Sequence, residues 1–246
     1  MMRRLGAIVC LAVVSVTATR AAQPPGQLDV GAFSTATEGS ELPDGWRSLT
    51  FKKVERQTHY EVVKDQSVAV VRAVSDAGAS GLTKAVTIDP REYPIVHWRW
   101  KIEHILQRSD VTRKDGDDYP ARLYITFAYE PDKVGVGKKL KYLAGRALFG
   151  DIPIGALNYI WDSKSPVGRV VDNAFTSFAK MIVVESGAER AGSWVEEERN
   201  VYEDYRLAFG EEPPAINGVA IMTDTDNTKE RAVAYYGDIR FSQAPK

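Results

Sequence analysis

Cysteine is almost absent from this 246-residue chain; Cys10 is the single one. It lies in an N-terminal stretch read below as a removable leader, so the mature chain is expected to have no disulfide and no thiol chemistry. An exported domain built without disulfides must be held by its core, and the length is ample for one. Histidine is scarce too. His59, His97 and His104 are dispersed at spacings that fit no zinc site. With no Gly-x-Ser-x-Gly elbow, serine-triad chemistry has little support. Gly135, Gly137 and Lys138 do not form a phosphate loop, because Lys139 stands where Ser or Thr is required. No apolar run reaches the ~20 residues of a spanning helix. The formal net charge of −1 argues against a general nucleic-acid binder. No internal repeat at a fixed period is present.

The N-terminus reads as an export signal. Arg3 and Arg4 precede an apolar stretch over 5–16, and small residues follow at Ala18, Ala21 and Ala22. Cleavage is expected within 18–22. Residues 1–22 are then a signal peptide and 23–246 one domain, periplasmic or secreted. Cys10 sits deep in the apolar stretch, which disfavours a lipid anchor.

The remainder is organised around two alternating segments. In Ile95–Ile102 (IVHWRWKI), Val96, Trp98, Trp100 and Ile102 share one face, and His97, Arg99 and Lys101 the other. In 121–129 (ARLYITFAY), Leu123, Ile125, Phe127 and Tyr129 oppose Arg122, Tyr124 and Thr126. A period of two marks half-buried strands. Trp98 and Trp100 alternate with charges, so core packing is their expected role rather than sugar stacking.

Further short strands are expected at 29–33, 48–51, 59–63, 67–74, 82–88, 155–161, 180–185, 218–223 and 231–241, with turn residues between them. Residues 78–81 read as a loop. Helical spacing appears over 138–148 (KKLKYLAGRAL), and 193–209 looks helical with Ser193 as its cap. No alternating strand–helix rhythm appears, which disfavours a doubly wound parallel sheet. The expected fold class is mainly all-β: an antiparallel two-sheet β-sandwich of jelly-roll type with one or two inserted helices.

LPDGW (42–46), VHWRWKI (96–102), DDYPARLYITF (117–127), IW (160–161) and GVAIMTDTDNT with AYYGDIRF (218–241) together resemble the bacterial domain-of-unknown-function family numbered three thousand and forty-seven. The matches span nearly the whole mature chain. The resemblance implies a secreted jelly-roll domain similar in outline to carbohydrate-binding modules. It implies no activity and no catalytic residue.

If the two central strands are neighbours, His97, Arg99, Lys101, Arg122 and Tyr124 form a cationic sheet face, joined by Asn158 and Tyr236. Arg and Lys favour a carboxylate- or phosphate-bearing ligand. The bland alternative is a solvated face of cross-strand pairs. Asp115, Asp117 and Asp118 cluster in one loop and Asp224, Asp226 and Asn227 in another, as oxygen ligands for structural calcium do. The first trio is the candidate metal site, and no other cofactor is indicated.

The expectation is therefore an exported protein that binds a glycan or another polar or anionic ligand on a cationic concave sheet. Two alternatives stand beside it. One is a polysaccharide-degrading enzyme of the envelope: a lyase with His97 or Tyr124 as base and acid, or a hydrolase with paired carboxylates from Glu103, Asp117, Glu185 or Asp238. The other is a non-catalytic structural or assembly protein of the envelope. Binding without turnover is preferred, because the parts for catalysis are present without a spacing motif.

Overall fold

The computed structural model describes residues 26–40, 42–128 and 155–245. The stretch expected to be a leader and the 138–148 segment lie outside them. Two sheets face each other. The six-stranded sheet runs β11 (Val195–Asn200), β6 (Ile95–Ile102), β13 (Arg231–Ser242), β4 (Val68–Asp76) and β3 (His59–Asp65), with β1 (Gln27–Gly31) also paired to β13. The seven-stranded sheet runs β2 (Arg47–Leu49), β5 (Ala79–Ile88), β12 (Ile216–Asp224), β7 (Arg122–Phe127), β8 (Ala156–Asp162), β10 (Thr176–Ser186) and β9 (Val170–Asn173). One helix, α1 (Val201–Phe209), follows β11 directly. This is the expected β-sandwich of jelly-roll type with an inserted helix. Among the described residues all strand pairs are antiparallel except β8 with β10, which run parallel. No helix among them is long and apolar enough to cross a membrane.

Aromatic rings join the layers. Trp98 of β6 stacks on Tyr159 of β8 at 5.3 Å, and Trp100 lies 6.1 Å from Trp161. Both aromatic pairs are buried, so Trp98 and Trp100 are core, as their alternation requires. Leu123, Ile125, Phe127, Val219 and Ile221 complete the seven-stranded side of the core. A second, smaller cluster lies elsewhere. Val111 and Tyr119, from the loop between β6 and β7, bury Ile160, Met181 and Val183. Ile160 alternates with core-facing Tyr159 and Trp161, so this cluster covers the outer face of the seven-stranded sheet.

Three local expectations change. Residues 79–81 belong to β5, because Ala79, Ser80 and Gly81 pair with Asp224, Thr223 and Met222 of β12. The first part of 193–209 is a strand: Glu196, Glu197 and Glu198 lie opposite Arg99, Trp98 and His97. The true cap of α1 is Asn200, whose side chain accepts from the Glu203 N–H at 3.1 Å. In β13 the register shifts between Tyr236 and Ile239, so Tyr236 turns into the core and Tyr235 out of it.

Candidate functional site

The two central strands are not neighbours. β6 and β7 lie in different sheets and present their apolar faces to each other. Their polar faces therefore point in opposite directions, with the thickness of the sandwich between them, ~10 Å from sheet to sheet. The expected single cationic face splits in two.

His97, Arg99 and Lys101 occupy the outer face of the six-stranded sheet. Lys101 Nζ reaches Asp65 at 2.6 Å, and this donation holds the Asp65 carboxyl below the usual range. His97 lies between Glu198 at 3.3 Å and Ser242 at 2.9 Å. The Arg99 guanidinium sits 4.6 Å above the Trp194 ring. These groups are committed to neighbours on the same face, and the face is the solvated kind.

Arg122 and Tyr124 lie on the outer face of the seven-stranded sheet, where the β6–β7 loop folds back. Arg122 is buried there, and all but one of its N–H donors are engaged. Nε donates to Asp224 Oδ1 at 2.7 Å, Nη2 donates to Asp224 Oδ2 and to the Asp117 carbonyl at 2.5 Å, and Nη1 donates to Tyr124 Oη at 3.0 Å. Burial opposes the guanidinium charge, but Asp224, Tyr124 and Asp117 outweigh it and raise the pKa further. Burial also pushes the Tyr124 hydroxyl up to about 12.

Asn158 is the cross-strand partner of Tyr124. Its Nδ2 meets Met181 Sδ at 3.3 Å; since sulfur accepts and does not donate, the amide oxygen is left over. Asn173 extends the row, its Nδ2 donating to Asp117 Oδ2 at 2.9 Å. Asn158 was legible as a candidate. Asn173 and Met181 were not, because β9 has no alternation and a lone methionine reads as core. Tyr236 was placed wrongly: the shifted register puts it beneath the site, where its hydroxyl donates to the Met222 carbonyl at 2.6 Å and accepts from the Arg122 N–H at 3.4 Å. It braces Arg122 from the core side and does not face a ligand.

The acidic trio also separates. Asp115 is exposed and paired with Arg113, whereas Asp117 and Asp118 are buried. Asp118 joins Asp224 and Asp226 instead, with carboxylate oxygens within 4.8 Å of one another. The turn after β12 supplies its partners. Asn227 Nδ2 donates to Asp118 Oδ1 at 3.0 Å, and the Thr228 N–H to Oδ2 at 2.5 Å.

Five buried oxygens around this junction make no hydrogen bond of good geometry: Asp117 Oδ1, Tyr119 Oη, Asn158 Oδ1, Asp162 Oδ2 and Thr228 Oγ1, with the Tyr119 hydroxyl beside the Asp117 carboxyl. Folded proteins pair nearly all such atoms. Asp117 Oδ1 is 3.8 Å from Arg122 Nη1, with no hydrogen bond to it. Burial pushes the Asp117 carboxyl up, against the pull of Arg122, and Asp118 adds to the rise. A surface depression of about 460 Å³ lies elsewhere, between β9 and α1, lined by Val170, Asp172, Lys180 and Leu207. None of the orphaned atoms belongs to it, so the chemistry and this hollow do not coincide.

A family model described as Protein of unknown function (DUF3047) matches residues 44–240. No curated protein matches the chain. Among solved structures it is similar to the family 11 carbohydrate-binding module of the cellulosomal cellulase Lic26A-Cel5E of Clostridium thermocellum. That match has a TM-score of 0.45 and 10% identity, covering 91% of this chain and 98% of the module. It is also similar to endoglucanase 3 of Trichoderma harzianum, a family GH12 enzyme. There the TM-score is 0.41 at 9% identity, covering 91% of this chain and 100% of the enzyme. Likeness at this level carries nothing about ligand or chemistry.

Proposed function

The chain belongs to the family of unknown function DUF3047, and from that premise we propose that it binds a glycan at the junction of the β6–β7 loop with the outer face of the seven-stranded sheet. The observation that carries the reading is the row of unsatisfied polar atoms at Asp117, Tyr119 and Asn158, gathered around Arg122 and Tyr124. Buried polar atoms without partners are costly, and an incoming ligand can relieve the cost. Amide, carboxyl, phenol and guanidinium groups packed together suit a ligand with closely spaced hydroxyls, since each can donate or accept in a fixed plane. Half-buried Tyr124 and Asn173 form the rim by which such a ligand would enter.

The test is a glycan panel read by calorimetry on the folded mature chain. Tyr124→Ala and Asn158→Ala are expected to weaken binding at least tenfold. His97→Ala and Arg99→Ala, on the other sheet, are expected to leave it unchanged. Loss of binding through His97 or Arg99, with Tyr124→Ala silent, would sink the assignment.

The polysaccharide-cleaving reading rests on one feature, the Asp117 carboxyl raised by burial beside Tyr124 and Arg122. It predicts new reducing ends or unsaturated uronates, abolished by Asp117→Asn. Absence of product across the panel defeats it. A structural calcium, where one is bound, would be held by Asp118, Asp224 and Asp226 rather than by Asp115. Export through residues 1–22 belongs to the same proposal, and the mass of the protein recovered from the periplasm or medium tests it.

A further inference from the structure

We infer that Phe175 is the stacking surface of this site, and that the ligand is a β-linked, gluco-configured chain laid with the C–H face of a sugar ring against it. The inference rests on the glycan reading above and names its ligand class and a further contact residue.

A sugar ring of this kind needs two supports. Its equatorial hydroxyls call for hydrogen-bond partners, and its axial hydrogens make apolar faces that pack on an aromatic ring. The polar support is the row at Asp117, Tyr119 and Asn158. The apolar one has to be an exposed ring close by. Tryptophan does not supply it. Trp46, Trp98, Trp100 and Trp161 are buried, and Trp194, on the other sheet, carries Arg99 over its ring. The exposed phenylalanines among the described residues are Phe51 and Phe175. Single exposed apolar side chains are ordinary, so exposure alone assigns nothing. Placement does. Phe51 follows β2, at the opposite edge of the seven-stranded sheet from β9.

Phe175 stands in the turn that joins β9 to β10, where Asn173 and Thr176 pair and Ala174 and Phe175 make the bend. The Asn173 side chain fixes this turn and the site together. Its Oδ1 accepts from the Phe175 N–H at 3.0 Å, while its Nδ2 donates to Asp117 Oδ2 at 2.9 Å. One amide thus ties the turn that carries the ring to the first residue of the polar row. Lys114 Nζ lies 5.5 Å from the centre of the Phe175 ring, which sets the ring beside the loop that bears Asp117 and Tyr119. An exposed ammonium over a phenyl ring is weakly held, so a sugar face can displace it or take the opposite side.

Calorimetry with a β-1,4-linked glucose tetrasaccharide on the folded mature chain tests this. Phe175→Ala and Phe175→Leu are expected to weaken binding about tenfold, and Phe175→Trp to keep it. Phe51→Ala should leave it unchanged. Because both side chains are exposed, these variants should melt with the parent. The added indole of Phe175→Trp, read as a difference from the parent, should shift its emission to the blue when the tetrasaccharide is added. An emission left unmoved, or an affinity that Phe175→Leu retains, overturns the inference. Binding that Tyr124→Ala weakens and Phe175→Ala does not overturns it too, and leaves the glycan site standing. If the glucose oligomer fails to bind while another glycan binds through Tyr124, the ligand class named here is wrong and the site again stands. Binding of no glycan overturns both readings.

Discussion

At the scale of single residues, the alternation rule separates inside from outside well but does not say which outside. Trp98 and Trp100 are core because they alternate with charges, and Asn158 sits with Arg122 and Tyr124 as expected. The error lay in joining His97 to Arg122, since nothing local encodes which sheet a strand enters. A second residue shows what charge patterning hides. Glu197 stands in a run of three glutamates, yet it shares the inward parity of Val195 and accepts from Trp100 Nε1 at 3.3 Å. Burial, with Glu185 adding to it, pushes its carboxyl up to about 7, while Trp100, Arg190 and Arg199 pull the other way. The sign follows directly. Between the ordinary glutamate range near 4.3 and about 7, the folded state keeps a proton that the unfolded state has lost. Stability should therefore fall as pH rises through that window. Glu197→Gln removes the titration, so its unfolding free energy from urea denaturation should vary less from pH 5 to 8 and be higher at pH 8 by ~1–2 kcal/mol. A variant that tracks the parent at every pH would show that Glu197 is not protonated in the folded protein.

At the scale of elements, the missed pieces are those whose pairing overrides their local pattern. β11 carries three successive glutamates and is a strand only because β6 offers it an edge. β9 is four residues long and exists as the edge partner of β10. The register shift in β13 reverses the parity of everything before it, which is why Tyr236 was assigned to the wrong face. The helix expected over 138–148 lies outside the described residues. Two glycines allow a comparison of how tightly these elements meet. A Cβ at Gly81 would stand 2.8 Å from the Ile221 carbonyl oxygen, within the β5–β12 pairing. One at Gly237 would meet Arg99 Cγ and Nε at 2.5 Å, but that side chain can swing off Trp194. Gly81→Ala should cost ~1–3 kcal/mol by urea denaturation, because backbone must shift to make room. Gly237→Ala should cost less and instead alter Trp194 fluorescence. The opposite order of stabilities would mean that the β5–β12 contact is looser than its geometry.

At the scale of the whole molecule, the site is fastened to both sheets at once. Its central residue, Arg122, is on the seven-stranded sheet, and the N–H of that residue leans on Tyr236 of the six-stranded one. The Thr223 and Tyr236 hydroxyls lie 2.8 Å apart across the same gap. A ligand held at Arg122 should then stabilise the sandwich as a unit and not a single loop. At ten times its dissociation constant the gain would be ~1.4 kcal/mol. The same coupling makes the interlayer aromatics the strongest test of cooperativity. Trp161 is fully buried against Trp100, and its Nε1 donates to the Gly187 carbonyl at 3.0 Å. Trp161→Ala removes that ring and leaves a cavity between the sheets, at a cost of ~3–5 kcal/mol. The parent should unfold in one transition, with tryptophan fluorescence and far-ultraviolet circular dichroism coincident. The variant should shift both midpoints together, because neither sheet can bury its apolar face without the other. If the two signals separate in the variant, one sheet survives without its partner. The buried rows at Trp98, Tyr159, Trp100 and Trp161 would then not be what joins the fold.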